Sequence, residues 1–372
     1  KFKKMKKNLQ NALLLAMGLM TTVTFAQDWN VDSRTRIDMG GDYDKMETAQ
    51  RATLGATWGG SDWGIHASTV VNYDLNNEAA TLGVYEAYAS TDIMGYANMT
   101  IGRSAWNYGS GMIMGSNEWG TRTTRDGMTF GLDLDMADVT LLYASRMNGD
   151  SLTDGATFWG MNASKSEGDW TANLLYGSQT GTVADVDLDA TTYMGLDLSY
   201  AMMGGSLSLD VSYNTVTDAM MYDMSGAAPV YVGRADLDMN SIGATYNVND
   251  DMSISATQTS YGEGGFNLAG GNAGIYGSDS WTSHGNMGHL GANQKDLAIG
   301  GTYAMGDFNL GVTMHTVTDE TVGAEEYERS AMEVSLGYSM SDNAGLSVNY
   351  ATDNNGGDTD TKYTWLTLTV TP

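Results

Sequence analysis

Arginine is the residue type whose distribution in this chain points most directly to chemistry. Arg34 and Arg36 alternate with Thr35 and Ile37, so in an extended strand both guanidinium groups lie on one face. Arg51 has the same phase as Thr53 and Gly55, which predicts that it points toward the same interior. Seven of the nine arginines precede residue 150: Arg34, Arg36, Arg51, Arg103, Arg122, Arg125 and Arg146. These seven are our candidates for a cationic wall.

Acidic residues are also predicted to face inward, and several of them lie on later strands. The candidates are Glu86, Asp133, Asp197, Asp210 and Glu333. If the two sets lined opposite walls of a pore, they would set a transverse field across it. The alternative is that the charges pair with one another and plug the interior, and the sequence leaves both arrangements open.

Histidine and oxygen-rich segments indicate no cofactor and no metal centre. His66 and His315 have inward phase on distant segments, His284 and His289 lie in a glycine-rich segment, and no HExxH spacing occurs. The chain contains no cysteine, so we expect no structural zinc site. The acidic run 353–360 has ligands that suit calcium but lacks EF-hand spacing, and a solvated loop is the alternative. A hydrolase would need a serine or an acid beside a histidine, and inward serines are too numerous to exclude one.

The elements that position these residues are short alternating strands. Segments 207–213 and 332–338 alternate apolar and polar side chains, so each strand has one apolar and one polar face. After residue 26 no apolar run reaches the roughly 18 residues that a transmembrane helix needs. The pattern predicts an all-β transmembrane antiparallel up-and-down barrel of about 18 strands, with 16 as the alternative count. A soluble sandwich would show the same alternation with its apolar face turned inward.

Short polar turns alternate with longer connections along the chain. The predicted short turns lie at 59–62, 135–138, 167–169, 203–204, 247–251, 305–307 and 341–343. The longest connections are 105–126, 217–233 and 260–294. In outer-membrane barrels the short turns are periplasmic and the long loops lie outside. An even strand count therefore places both chain termini in the periplasm.

Tyrosines mark two levels of the predicted barrel. Four precede short turns: Tyr200, Tyr246, Tyr303 and Tyr338. Four precede long loops: Tyr143, Tyr176, Tyr213 and Tyr350. All eight have the phase of the apolar face, which is typical of the aromatic girdles at the two membrane interfaces. Ordinary enrichment of aromatic residues in strands is the alternative explanation.

The first 26 residues have the features of a secretion signal. Five lysines precede an apolar stretch from Ala12 to Val23, and Thr24-Phe25-Ala26 is a small-x-small cleavage pattern. We therefore predict a signal peptide at 1–26 and one barrel domain at 27–372. Without the five lysines the net charge of −27 becomes −32, so nucleic acid is not an expected partner.

One segment is less generic than the rest. Residues 102–130 contain Gly102-Arg103, Tyr108-Gly109, Gly115, Trp119, Arg125 and Asp126-Gly127, and Tyr85-Glu86-Ala87-Tyr88 precedes them. Together these motifs resemble the alginate-export family of outer-membrane porins. The resemblance implies an 18-stranded barrel and an anionic solute. The chain departs from the family in having few cationic residues and no terminal aromatic residue.

The connection 105–126 carries several large apolar side chains, among them Trp106, Tyr108 and Trp119. So much apolar surface is unusual in water. We expect it either to fold into the barrel as a constriction loop or to pack against neighbouring outer loops.

The whole pattern predicts an outer-membrane porin for small hydrophilic solutes, with membrane lipid as its other partner. The rivals are a plugged surface or adhesion barrel and a barrel enzyme.

Overall fold

A computed structural model describes residues 26–39, 47–75, 79–115, 124–145, 154–183, 186–187, 189–223, 230–266, 268, 290–321, 328–354, 356–358 and 360–371. Its strands are β1 (Ala26–Asp38), β2 (Glu47–Gly59), β3 (Trp63–Asp74), β4 (Ala79–Ile93), β5 (Ala97–Ala105), β6 (Thr124–Leu134), β7 (Ala137–Ala144), β8 (Asp154–Glu167), β9 (Trp170–Val183), β10 (Val186–Asp187), β11 (Thr191–Met202), β12 (Leu207–Asp223), β13 (Val230–Asn249), β14 (Met252–Tyr261), β15 (Gln294–Met305), β16 (Phe308–Asp319), β17 (Glu328–Ser341), β18 (Ala344–Asp353) and β19 (Thr361–Val370). In the described part of the chain one 3-10 turn is present, at Met203–Gly205. The proposed signal segment lies outside the described residues, apart from Ala26, so its assignment stays a prediction.

The strands form one closed ring. Each long strand pairs antiparallel with the next, β9 passes directly to β11, and the two-residue β10 pairs only with the end of β9. The ring closes where β19 pairs with β1, from Ser33 opposite Val370 to Asp38 opposite Trp365. Among the described long strands, closure leaves none at an open edge of the sheet. The fold class is confirmed, with eighteen long strands rather than sixteen.

The two ends of the barrel differ. Short turns join β2 to β3 and every second pair of strands after them, and both ends of the described chain lie on that side. The seven predicted short turns are confirmed. An eighth, at Met94–Tyr96 between β4 and β5, is absent from the prediction. No helix in the described ranges is long and apolar enough to cross a membrane.

The outer face of the barrel is apolar. On β12, Leu209, Val211 and Tyr213 are 37%, 42% and 42% exposed, while the residues between them point inward. Seven of the eight girdle tyrosines are exposed on the outside, and Tyr350 is half-buried there. A soluble sandwich would bury these side chains, whereas a barrel presents them to lipid. The exposed apolar belt therefore distinguishes the two folds that the alternation alone left open.

Candidate functional site: the lumen and its constriction loop

The cationic residues of the first two strands form one patch on the inner wall. Arg34 and Arg51 stand directly opposite each other across the β1–β2 pair. Arg51 is only 4% exposed. The guanidinium carbon of Arg36 lies 5.6 Å from the centroid of the Trp365 ring on β19, which is suitable for a cation–π contact. The structure thus brings Arg34, Arg36 and Arg51 together on the lumen side.

The acidic candidates of β11 and β12 lie across the lumen from this patch. Asp197 pairs with Ser212 and Asp210 with Ser199, and the four side chains share the inner face. In a ring of eighteen long strands, β11 and β12 are nine strands from β1 and β2, respectively, in either direction. Asp197 and Asp210 therefore stand on the opposite side of the barrel from the arginine patch, whereas Glu86, Asp133 and Glu333, on β4, β6 and β17, do not. Asp133 also has inward phase, between the outward Leu132 and Leu134, beside a short turn.

Glu86 faces inward because a bulge shifts the phase of β4. The pairing with β3 shifts register between Ser68, opposite Glu86, and Thr69, opposite Val84, so Tyr85 is the extra residue of the bulge. The Oε1 atom of Glu86 accepts a hydrogen bond from the Ala105 amide at 2.9 Å, and its Oε2 lies 3.6 Å from His66 Nε2. Both Glu86 oxygens thus have neighbours in the wall.

His66 is fixed on two further sides. The Thr57 hydroxyl lies 2.8 Å from its Nδ1 atom, and the Tyr88 ring stacks on the imidazole at 4.9 Å. His66 is 6% exposed. A buried, stacked and doubly contacted ring has little freedom to move, so Glu86 and His66 form a rigid part of the wall.

Glu333 borders a small cavity in the wall between β14 and β19. The cavity has a volume of about 190 Å³, and its polar lining comes from Ser255, Thr313, Glu333, Ser335 and Asn349, with Trp365 at its edge. The structure thus keeps Glu333 on the lumen side, three strands from the arginine patch.

Arg103 does not line the lumen as expected. It pairs across strands with Asp126, and both have the outward phase of Ile101, which is 46% exposed. Its Nε and Nη2 atoms donate to the two Asp126 oxygens at 2.7 and 2.8 Å. Arg103 therefore lies on the outer face, contrary to the expectation from the family motif. The phase of β5 alone would have placed it there.

Several candidates lie outside the described residues: Arg122, Arg146, Trp119, His284 and His289. His315 is described, and its Nδ1 atom lies 2.9 Å from Asp296 Oδ2 in a buried pair. Within the described ranges no group of three or more potential ligands could hold a metal ion.

The run 353–360 does not present Asp353 to a cation. Asp353 is fully buried and accepts hydrogen bonds from the Nε and Nη2 atoms of Arg329, the former at 2.8 Å. This buried pair was not found from the sequence, because the two residues are 24 positions apart in a pattern typical of solvated loops. Asp353 is thus engaged by Arg329 inside the wall.

The connection after β5 turns into the barrel. Its described part, residues 106–115, places Trp106, Ile113 and Met114 at 2%, 1% and 0% exposure against the inner wall. We call residues 106–115 the constriction loop. Of the two expected arrangements, the structure shows the inward one for this part of the connection.

Arg125 holds the base of the constriction loop. It is 2% exposed, faces inward, and its guanidinium carbon lies 5.8 Å from the Trp106 ring centroid. Burial raises the pKa of the Tyr108 phenol to about 12, with the positive charge of Arg125 acting in the opposite direction. Tyr108 is therefore uncharged at physiological pH.

The loop belongs to an apolar cluster inside the barrel that sequence reasoning missed. Wall residues from β7 to β16 contribute to it, and part of the connection after β14 joins through Phe266 and Leu290. The wall members are Leu142, Ala144, Phe158, Leu175, Tyr193, Val216, Ala219, Leu237, Met239, Tyr261 and Val317. The only sequence signal for this cluster is that apolar residues replace polar ones at inward-facing positions near the loop ends of these strands.

Comparisons with known proteins agree with this architecture. No family model matches the chain, and no curated protein matches it in sequence. The chain is similar in structure to OpdK of Pseudomonas aeruginosa solved with vanillate, with a TM-score of 0.69 and 12% identity over 93% of this chain and 98% of that one. It is also similar to P. aeruginosa OccK2 (OpdF) in complex with glucuronate, with a TM-score of 0.67 and 13% identity over 93% and 97%. The P. aeruginosa outer membrane protein OprD gives a TM-score of 0.65 and 13% identity over 94% of each chain. These likenesses show a shared fold.

Proposed function

We propose that this protein is an outer-membrane channel through which small hydrophilic solutes diffuse passively, with a preference for solutes that carry a carboxylate. The observation that carries the proposal is the facing arrangement inside a closed barrel of the arginine patch on β1 and β2 and the acids on β11 and β12. The apolar outer belt supports a position in lipid. The signal segment predicted at 1–26 would direct the barrel domain 27–372 out of the cytoplasm.

The preference for a carboxylate follows from the chemistry of the patch. A guanidinium forms paired hydrogen bonds with a carboxylate in a planar geometry that a neutral hydroxyl does not match. Vanillate and glucuronate, found with OpdK and OccK2, both carry a carboxylate. The resemblance of residues 85–130 to alginate exporters points in the same direction, because alginate is an acidic polysaccharide.

A plugged barrel is the second candidate, and the apolar cluster is the observation that favours it. The cluster's wall residues come from β7 to β16, whereas the described parts of β17 to β19 and β1 to β6 contribute none. The half of the ring that carries the arginine patch holds only a smaller apolar cluster in its described part, made by Ala331, Ala351, Tyr363 and Trp365. This distribution supports a narrowed opening beside the arginines rather than a complete plug.

Catalysis is the weaker alternative. His66 and His315, the two described histidines, lie beside Glu86 and Asp296, respectively, inside the wall. Such contacts support a role in holding the wall together, and we therefore propose transport and no enzymatic activity.

Two measurements on the purified protein test the proposal. In planar bilayers we expect discrete conductance steps, and their absence would favour the plugged barrel. In liposome swelling, glucuronate should enter faster than glucose, since the two differ mainly in one carboxylate. Equal entry would leave a channel but remove the carboxylate preference.

A further inference from the structure

The tip of the constriction loop is bonded to the inner wall at β11, five strands along the ring from β5. The Ser110 amide donates to Asp197 Oδ2 at 2.8 Å, although the two residues are 87 positions apart. The other oxygen, Oδ1, accepts from the Ser212 hydroxyl at 2.5 Å, and Asn214 donates to that hydroxyl at 2.8 Å. Hydrogen bonds to an ionised carboxylate are about twice as strong as those between neutral groups.

The loop backbone is shaped for this contact. Gly109 has a φ of +59°, and a Cβ atom there would stand 2.2 Å from Asp197 Oδ2 and 2.7 Å from Asn173 Oδ1. Any larger residue would push the loop away from the carboxylate. Glycine before Ser110 thus lets the backbone approach Asp197 closely enough for the amide to bond.

We propose that Asp197 is a positioning residue that fixes the tip of the constriction loop to the inner wall at β11 and so sets the size limit for solutes; this rests on the proposed channel function. Both of its oxygens are engaged within the protein, so its main partner is the loop rather than the solute. Asp210, one strand away, instead accepts from the hydroxyls of Ser199 and Ser208 at 2.6 and 3.4 Å.

The base of the loop has separate support. Trp106, Ile113 and Met114 are buried in the apolar cluster, whereas Gly109 and Ser110 are exposed beside a cavity of about 460 Å³ that several Ser, Thr and Asp residues line. Asp197 and Asp210 both line that cavity. Loss of the Asp197 bonds should therefore free the tip, widen this space toward the lumen and leave the base in place.

The first test compares Asp197→Ala with Asp210→Ala, which removes a carboxylate from the same cavity without touching the loop. Asp197→Ala should raise single-channel conductance and admit larger sugars in liposome swelling, while Asp210→Ala, which also removes one charge of the acidic wall and is read here for size only, should keep the wild-type size limit. Asp197→Asn, which preserves shape but loses the charge, should give an intermediate limit if the alanine variant does not fold. An unchanged size limit in folded Asp197→Ala, or in folded Asp197→Asn where the alanine variant does not fold, would overturn the proposal.

A reversible lock makes the test specific to the loop. The hydroxyl oxygens of Ser110 and Ser212 are 3.4 Å apart, and the chain has no cysteine of its own. Ser110→Cys with Ser212→Cys should form a disulfide, whose sulfurs lie about 2.05 Å apart. In the Asp197→Ala background, oxidation should restore the wild-type size limit and reduction should remove it again. If the oxidised lock formed and the limit stayed widened, the tip would not be the element that sets it.

Accessibility of the tip separates this inference from the channel proposal. A cysteine at Ser110 alone should react faster with maleimide in Asp197→Ala than in the wild-type background, whether or not the barrel conducts. If the wild type conducted nothing, the channel proposal would fail while this rate still reported release of the tip. Equal reaction rates would refute the Asp197 anchor itself.

Discussion

At the level of single residues, Arg103 shows what a charged side chain needs on the outside of a barrel. It lies in the phase of Ile101, but at the loop end, one step beyond the level of Tyr143. The Asp126 carboxylate accepts hydrogen bonds from its Nε and Nη2 atoms. The cost of an outward arginine falls from roughly 2–4 kcal/mol at the bilayer midplane to about 0–1 kcal/mol near an interface. Position and pairing together make this arginine tolerable outside.

Arg103→Ala should therefore leave ion selectivity unchanged. It should lower the free energy of unfolding by less than about 1 kcal/mol, since the pair is largely exposed. Reversal potentials in a salt gradient and urea unfolding in detergent check the two parts. A selectivity shift as large as that of Arg51→Ala would mean that Arg103 reaches the lumen after all.

The same argument predicts opposite outcomes for two positions three residues apart. Val211 is 42% exposed on the outer face, and Ser208 faces the lumen. Val211→Arg should destabilise the barrel by about 2–4 kcal/mol, whereas Ser208→Arg should fold normally. Heat-modifiable gel mobility and urea titration report the difference. Equal stability of the two variants would contradict the assigned faces of β12.

At the level of elements, local patterns were enough for most strands and turns. Alternation and turn residues act between near neighbours, so the barrel and seven of its turns could be read directly. The Met94–Tyr96 turn was not predicted because the apolar residues on both sides of it resemble a continuous strand. The bulge at Tyr85 was not predicted because it does not change the visible alternation of apolar and polar residues. The anchor between Ser110 and Asp197 joins residues 87 positions apart, and no local pattern carries such information.

The orientation of the elements is open to direct test. Because the chain has no cysteine, single cysteines can be placed at the two ends of the barrel. Asp342→Cys and Met136→Cys, in short turns, should resist an impermeant maleimide on whole cells. Thr321→Cys and Asp358→Cys, at the loop end, should react. The reverse pattern would invert the assigned topology.

At the level of the whole molecule, net charge and local charge point in opposite directions. A chain with a net charge of −27 should attract cations at long range. At physiological salt, however, fields between exposed charges decay over about 8 Å, so distant loop acids act weakly inside the lumen. The side chains nearest the narrowest passage should therefore decide which ions pass.

Arg34, Arg36 and Arg51 share one inner patch opposite Asp197 and Asp210. Their positive charge should therefore dominate the electrostatic potential at that passage. We expect the wild type to favour anions in a salt gradient, and we expect replacement of the three arginines by alanine to shift the reversal potential toward cations. Replacement by lysine keeps the charge but not the planar geometry, so it should retain anion selectivity while reducing the advantage of glucuronate over glucose. Lowering the salt should strengthen the influence of the acidic loops and weaken the anion preference. A cation preference that did not change in the alanine variant would show that the constriction lies away from this patch.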